Sequence, residues 1–323
     1  MHLPEQLRNA VADEIAAVDR AALSRATGQL SDRYRAGKFS GAIAGPADRA
    51  AYLATRLPAT YAANIAVFRE LTARVRTPVR SLLDLGAGPG TAMWAAAEAL
   101  PDIERFAAVE RDPALMEVGR RLAASSGNAA LQHANWIQAD FRALSHLAAH
   151  DVVVLSYAMG ELQDPLAAVR SAWQLARVAL VLIEPGTPRA FDAVLRARDL
   201  LIESGAQIAA PCPHHKACPL AVRNDWCHFS VRLERTSEHR RLKGGDLGYE
   251  DEKFSYLIAS KDAGNQASAR IVRHPLKHSG HVKLALCTPD DLQRPTITKS
   301  QKELYRAARK AEWGDEWPPL HET

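Results

Sequence analysis

From about residue 80 to residue 206 the chain alternates short apolar runs with longer helix-forming ones, and this rhythm constrains the fold more than any other feature. "SLLDLG", "RFAAVE", "NWIQAD", "DVVVLSYA" and "VALVLIEPG" have the length and apolar character of strands. "TAMWAAAEAL", "PALMEVGRRLAASS" and "PLAAVRSAWQLA" lie between them, and "AFDAVLRARDLLIESG" follows the last. Strands joined by helices of about ten residues or more run parallel, because a crossover is too long for a hairpin and long enough to cover the sheet. The expected architecture is α/β, with a doubly wound sheet.

The flanks read differently. Residues 1–78 carry helix-period apolar positions, interrupted near Pro58, and are expected to form a helical N-terminal region. Residues 79–206 would form the Rossmann core, 207–250 a cysteine-rich insertion, and 251–323 C-terminal strands completing the sheet plus a basic tail. "HFSVRLER", "KFSYLIASK", "ASARIVRHP" and "HVKLALCT" are the strand candidates, expected to form an antiparallel edge of the same sheet.

"LLDLGAGPGTA" follows the first strand and opens a helix. Asp84, Gly86, Gly88 and Gly90 are spaced D-x-G-x-G-x-G. Glycines let the backbone turn tightly and approach a ligand, and the helix N-terminus offers free amides. The dinucleotide pattern G-x-G-x-x-G would need glycine where Thr91 stands. The spacing instead resembles the first motif of class I S-adenosylmethionine-dependent methyltransferases. Glu110 ends the second strand, where an acid can accept from ribose hydroxyls. Asp140 and Phe141 end the third, where the resemblance implies the adenine site. The place after the fourth strand reads "LSYAMGELQDP", without the paired prolines of amino-group methyltransferases, and no catalytic constellation is evident.

Cys212, Cys218 and Cys227 are spaced C-x5-C-x8-C, and Cys287 lies far downstream. Four thiolates can hold a tetrahedral zinc or an iron–sulfur cluster. Tight C-x2-4-C knuckles are missing, and proline follows Cys212 and Cys218, as it follows cluster ligands in ferredoxin-type runs. Zinc, and ordinary buried cysteines, remain the alternatives.

Charge is distributed unevenly. The net +4 resides wholly in residues 211–323, the preceding 210 being balanced. No acid lies between Asp262 and Asp290, a stretch that holds Arg270, Arg273, Lys277, His281 and Lys283. These are candidate RNA contacts; a solvated strand surface would look the same.

"YLATRLPATYAA", "SLLDLGAGPGTAMWAA", "VVLSYAMGEL", "CPHHKACPL", "DWCHFSVRLER", "SGHVKLALCTPD" and "TKSQKELYRAARKAEWGDEWP" together resemble the methyltransferase-like assembly factors of the small ribosomal subunit, of the Rsm type, known from mitochondria and bacteria. The resemblance implies a class I methyltransferase fold and a [4Fe-4S] cluster on the four cysteines. It also implies binding to small-subunit ribosomal RNA during assembly, in a role that does not require turnover. The N-terminus has no basic start leading into an apolar run, and no stretch is apolar enough to span a membrane. The expectation is a cytoplasmic protein, monomeric off the ribosome. In a reducing compartment, clustered cysteines more readily bind metal than pair as disulfides.

Overall fold

The computed structural model describes residues 1–35, 43, 45–140, 146–234 and 248–318. Four helices come first: α1 (Glu5–Ala16), α2 (Arg20–Arg35), α3 (Pro46–Thr55) and α4 (Leu57–Arg74). Then come β1 (Ser81–Leu85), α5 (Thr91–Ala99), β2 (Arg105–Glu110), α6 (Pro113–Ala124), α7 (Ala129–Gln132), β3 (Asn135–Gln138), β4 (His150–Ser156), α8 (Pro165–Leu175), β5 (Ala176–Pro185) and α9 (Pro188–Glu203). They are followed by β6 (Gln207–Ala210), β7 (Phe229–Glu234), β8 (Tyr249–Ser260), β9 (Arg270–Ile271), β10 (Leu276–Lys277), β11 (His281–Lys283), β12 (Leu286–Cys287), β13 (Leu292–Gln293), β14 (Thr296–Thr298) and α10 (Lys302–Lys310).

The main sheet runs β3-β2-β1-β4-β5-β8-β6, with β7 also on β8. Strands β1 to β5 pair in parallel, and β8 lies antiparallel against β5. This is the order of the class I methyltransferase sheet. Consecutive residues serve opposite faces. Leu82, Val152, Val154, Val181 and Ile183 pack towards α1–α6, whereas Leu83, Leu85, Val153, Leu155, Leu180 and Leu182 pack towards α8 and α9. A sheet buried on both faces needs continuous apolar strands, which is why β4 and β5 show no alternation.

Three helices begin by one local device. Asp112, Asp164 and Thr187 accept backbone N–H bonds as N-caps, and proline follows each at the first helical position. The missing proline N–H costs nothing there.

The C-terminal half departs from the expected edge. β7 and β8 do join the main sheet, and so does the short β6. "ASARIVRHP" and "HVKLALCT" do not. They supply β9, β11 and β12 of two separate three-stranded sheets, β13-β12-β9 and β10-β11-β14. A separate core of Ile271, Val282, Leu284, Leu286, Ile297 and Ala308 binds these sheets to α10.

β8 explains where the cysteine loop sits. Along one edge it pairs with β7 at Tyr249–Phe254 and with β6 at Ile258–Ser260. The chain between β6 and β7 must leave and re-enter that edge within a few residues along β8. Cys212 stands just after β6 and Cys227 just before β7. Gln266 Nε2 donates to the Cys212 carbonyl at 3.1 Å, and Ser255 Oγ to that of Cys227 at 2.8 Å.

Candidate functional site

The glycine loop connects β1 to α5 at the carboxyl end of the sheet. Gly86, Gly88 and Gly90 have φ of 75°, 53° and 81°. A side chain at any of them would be strained. Gly90 is also crowded: a Cβ there would meet the Met93 side chain at 2.9 Å. The loop is fastened to Glu110, whose Oε2 accepts from Gly88 N at 2.9 Å while Oε1 accepts from Arg111 N and Asp112 N. Three amides thus take three of the roughly four lone-pair sites of that carboxylate.

Asp84 is 1% exposed, and its Oδ2 has no hydrogen-bond partner among the described residues. Burial, with the Glu110 charge added, pushes its carboxyl up to about 8. The Thr91 hydroxyl is likewise buried without a partner among the described residues. Two orphaned polar groups beside a glycine loop are groups that a polar ligand could satisfy. Asp140 follows β3 and is half-buried, and Phe141 lies outside the described residues.

At the end of β4 the backbone of Tyr157 is left-handed, φ 56°, a conformation that costs a non-glycine residue energy. Its hydroxyl donates to Glu252 Oε1 at 2.9 Å, and Arg56 pairs with the same oxygen at 3.3 Å. Ser156 Oγ accepts from Asn64 Nδ2 at 2.8 Å. Glu184, to which the sequence pattern assigned no role, accepts from Met159 N at 2.8 Å and so holds the turn after β4. These partners come from α4, β5 and β8, distant in sequence, and local pattern gave no sign of them.

The four cysteines line one cavity of about 40 Å³, with Arg198, His214, Tyr256 and Arg270 also on its wall. That is room for more than one water-sized group. The cysteines are free thiols. Burial pushes Cys287 up to about 12, with the nearby Cys212 and Cys218 adding to it. Burial, followed by the other three thiols, raises Cys227 well above the ordinary thiol value. Among the described residues, no three His, Cys, Asp or Glu side chains are already arranged to hold a metal ion.

Arg270 does not lie on the surface as its sequence context implied. It is 1% exposed. Its Nη1 and Nη2 donate to the two Glu70 carboxylate oxygens at 3.0 and 2.8 Å, Nη1 also to Gly314 O, and Nε to Pro211 O. Its β9 position pairs with Cys287 on β12. A guanidinium with its donors turned inward cannot meet a phosphate, so Arg270 is withdrawn from the candidate RNA contacts. Arg273 is partly exposed and ion-paired with Asp225. Lys277 and Lys283 are exposed and His281 is half-buried, on β10 and β11. Arg294, Lys299, Lys302, Arg306, Arg309 and Lys310 join them as exposed cations around the same small module. None of these eight Lys and Arg residues pairs with an acid among the described residues.

Residues 46–318 match the family described as "Rsm22: Mitochondrial small ribosomal subunit Rsm22". The chain belongs to the Rsm22 family. It is 30% identical to the human "Ribosome assembly protein METTL17, mitochondrial", over 83% of this chain and 62% of that protein. It is 27% identical to "Rsm22-cox11 tandem protein 2, mitochondrial" of Schizosaccharomyces pombe, over 83% of this chain and 43% of that one. The chain therefore spans roughly half the length of these curated relatives. Among solved structures, magnesium protoporphyrin IX methyltransferase of Synechocystis PCC 6803 with bound SAM is similar at TM-score 0.41 and 13% identity, over 76% of this chain and 99% of that one.

The family resemblance read from the motifs of this Rsm22-family chain is borne out; the cytoplasmic expectation is not. The family description and both relatives' names are mitochondrial, which points away from the cytoplasm. A start that lacks a secretory pattern bears on export and is silent on import into an organelle.

Proposed function

We propose that this chain is a methyltransferase-like factor that binds small-subunit ribosomal RNA during ribosome assembly, with an S-adenosylmethionine-type site and a structural metal centre on Cys212, Cys218, Cys227 and Cys287. One observation carries the reading. Thiols from the β6–β7 loop and from β12 line a single cavity where the methyltransferase core meets the basic module. The donor set suits a [4Fe-4S] cluster, with zinc as the alternative. The thiols share the cavity without standing at ligand spacing, as in sites that close fully only when loaded. Such a centre would serve as a staple, and Lys277, His281, Lys283 and Arg273 would lie on the module it holds in place.

Within the cofactor site, the loop of Gly86, Gly88 and Gly90 would take the backbone-facing part of S-adenosylmethionine. Glu110 would accept from the ribose, Asp140 would serve the adenine, and Asp84 would face the cationic methionine end. A pH dependence follows. Asp84 has to lose its proton to pair with a cation, and below about pH 8 that release costs about 1.4 kcal/mol per pH unit. S-adenosylmethionine affinity is therefore expected to tighten from about pH 6 to about pH 8. Asp84→Asn should flatten this slope in calorimetric titrations; an unchanged slope would place the titrating group elsewhere.

Tyr157 and Ser156 occupy the acceptor-motif position, but both are engaged by internal partners, Glu252 and Asn64. This supports a role without turnover. Tritium transfer from labelled S-adenosylmethionine to small subunits would overturn that part and make the chain an active ribosomal RNA methyltransferase.

The RNA reading is tested by salt titration of binding to small-subunit RNA. Removing a cation that neutralises one phosphate should lower the magnitude of the log–log salt slope by about 1. Lys283→Ala is expected to do so while the unfolding midpoint stays unchanged. A slope indifferent to Lys283 and Lys277 alike would move the RNA off this module.

A further inference from the structure

We infer that Arg198 is the positioning residue of the cysteine cavity, its Nε–H donating to sulfur of the anionic centre that the four thiolates hold. The inference rests on the metal reading above.

Arg198 lies on the apolar stripe of α9 with Phe191, Val194, Ala197 and Leu201, is 3% exposed, and shares the cavity wall with all four cysteines. Its Nη2 donates to the carbonyls of His214 at 3.0 Å and Lys216 at 2.8 Å, both between Cys212 and Cys218. The same guanidinium thus sets the span of the ligand loop. Nη1 donates to Asp199 Oδ1 at 2.9 Å. The Nε–H is buried with no oxygen or nitrogen acceptor among the described residues, and the guanidinium stands within hydrogen-bonding reach of the Cys212 thiol, whose charged form it favours.

The charges separate the two arginines on this wall. Arg270 is balanced by the two-point pair with Glu70. The carboxylate partner of Arg198 is the adjacent Asp199, 58% exposed and therefore screened by water. A buried cation with a screened counter-ion and an unused donor is unfavourable unless an anion completes it. Thiolate or sulfide sulfur is such an anion, and a charge-assisted bond to it is among the stronger kinds. Because α9 is packed on the sheet, the donor is held in place before the loop closes.

The test uses the full chain reconstituted without oxygen with iron(II) and sulfide, as wild type, Arg198→Gln and Arg198→Lys. Iron release to bathophenanthroline is followed by absorbance, and the midpoint reduction potential is measured. Groups that support metal ligands typically change affinity about 10–100-fold when replaced. Arg198→Gln should release iron faster by about tenfold or more and show a lower potential, since the cation that favours the more negative reduced state is gone. Arg198→Lys keeps the charge but lacks the fork, and should fall between. A folded Arg198→Gln with wild-type release and potential overturns the inference. If the glutamine variant does not fold, wild-type release by Arg198→Lys overturns it instead. Wild type that retains no iron overturns the iron–sulfur reading and this inference together, whereas retention with indifferent variants overturns this inference alone.

Discussion

Arg270→Ala is expected to destabilise the fold by about 3 kcal/mol or more, read as a lowered urea midpoint at unchanged m-value. Removing one partner of a buried ion pair leaves the other charge uncompensated, and such a change costs about 3–5 kcal/mol. Glu70 is 26% exposed on its side chain and keeps Arg74 Nε at 3.4 Å, so its charge would still be balanced in part by water and by Arg74, which favours the lower end. The Pro211 and Gly314 carbonyls would lose their donor as well. The network extends to Arg74, whose Nη2 donates to Glu316 at 2.9 Å and Nη1 to Asn265 O at 3.2 Å. Arg270 and Arg74 therefore fasten α4, the start of the cysteine loop and the C-terminal module to one another. A double change of Glu70→Gln with Arg270→Met should recover part of the stability, because both charges go together and Arg74, which also pairs with Glu70, keeps Glu316. Stability within about 0.5 kcal/mol of wild type would mean that Arg270 acts as an ordinary surface cation.

Arg270 also illustrates where sequence reading stops. Its neighbourhood is basic and free of acids, which is the pattern of a polyanion-binding strand. Its actual partner, Glu70, is 200 residues away, and nothing local announces it. Arg198 was open to detection, since a charge on the apolar stripe of an amphipathic helix needs a buried partner or a ligand. The parallel core was legible for a physical reason: strands buried on both faces must be continuously apolar, and Asp-Pro or Thr-Pro before a helical run marks its start. The glycine loop was legible because only glycine takes its left-handed turns at no cost. β6 was not legible because its four residues, Gln207–Ala210, are too few to show a period. The two small C-terminal sheets were misassigned to the main sheet because strands of two or three residues carry no signal of which sheet they join.

Cys287→Ser is expected to lower metal content and small-subunit binding together. Cys287 is the one ligand candidate outside the β6–β7 loop and lies sixty residues beyond Cys227. A cross-link closing a loop of that length restrains the chain by at most about 4 kcal/mol on the loop-entropy scale. The folded state already holds the module through the β9–β12 pairing and Arg270, so the change should loosen the module rather than unfold the core. The signature is specific: iron and sulfide, or zinc, fall per chain, amide exchange quickens in β9–β14, and S-adenosylmethionine affinity stays near wild type. Binding to small subunits should weaken at low salt, where phosphate pairing dominates. Lys283→Ala would weaken binding too, but with the metal retained, so the two variants separate a missing phosphate partner from a missing staple. A metal-free protein that still binds small subunits as wild type does would break the link between centre and RNA. One zinc per chain with no sulfide would keep the link and change the metal, because a tetrathiolate zinc closes the same loop without any redox chemistry.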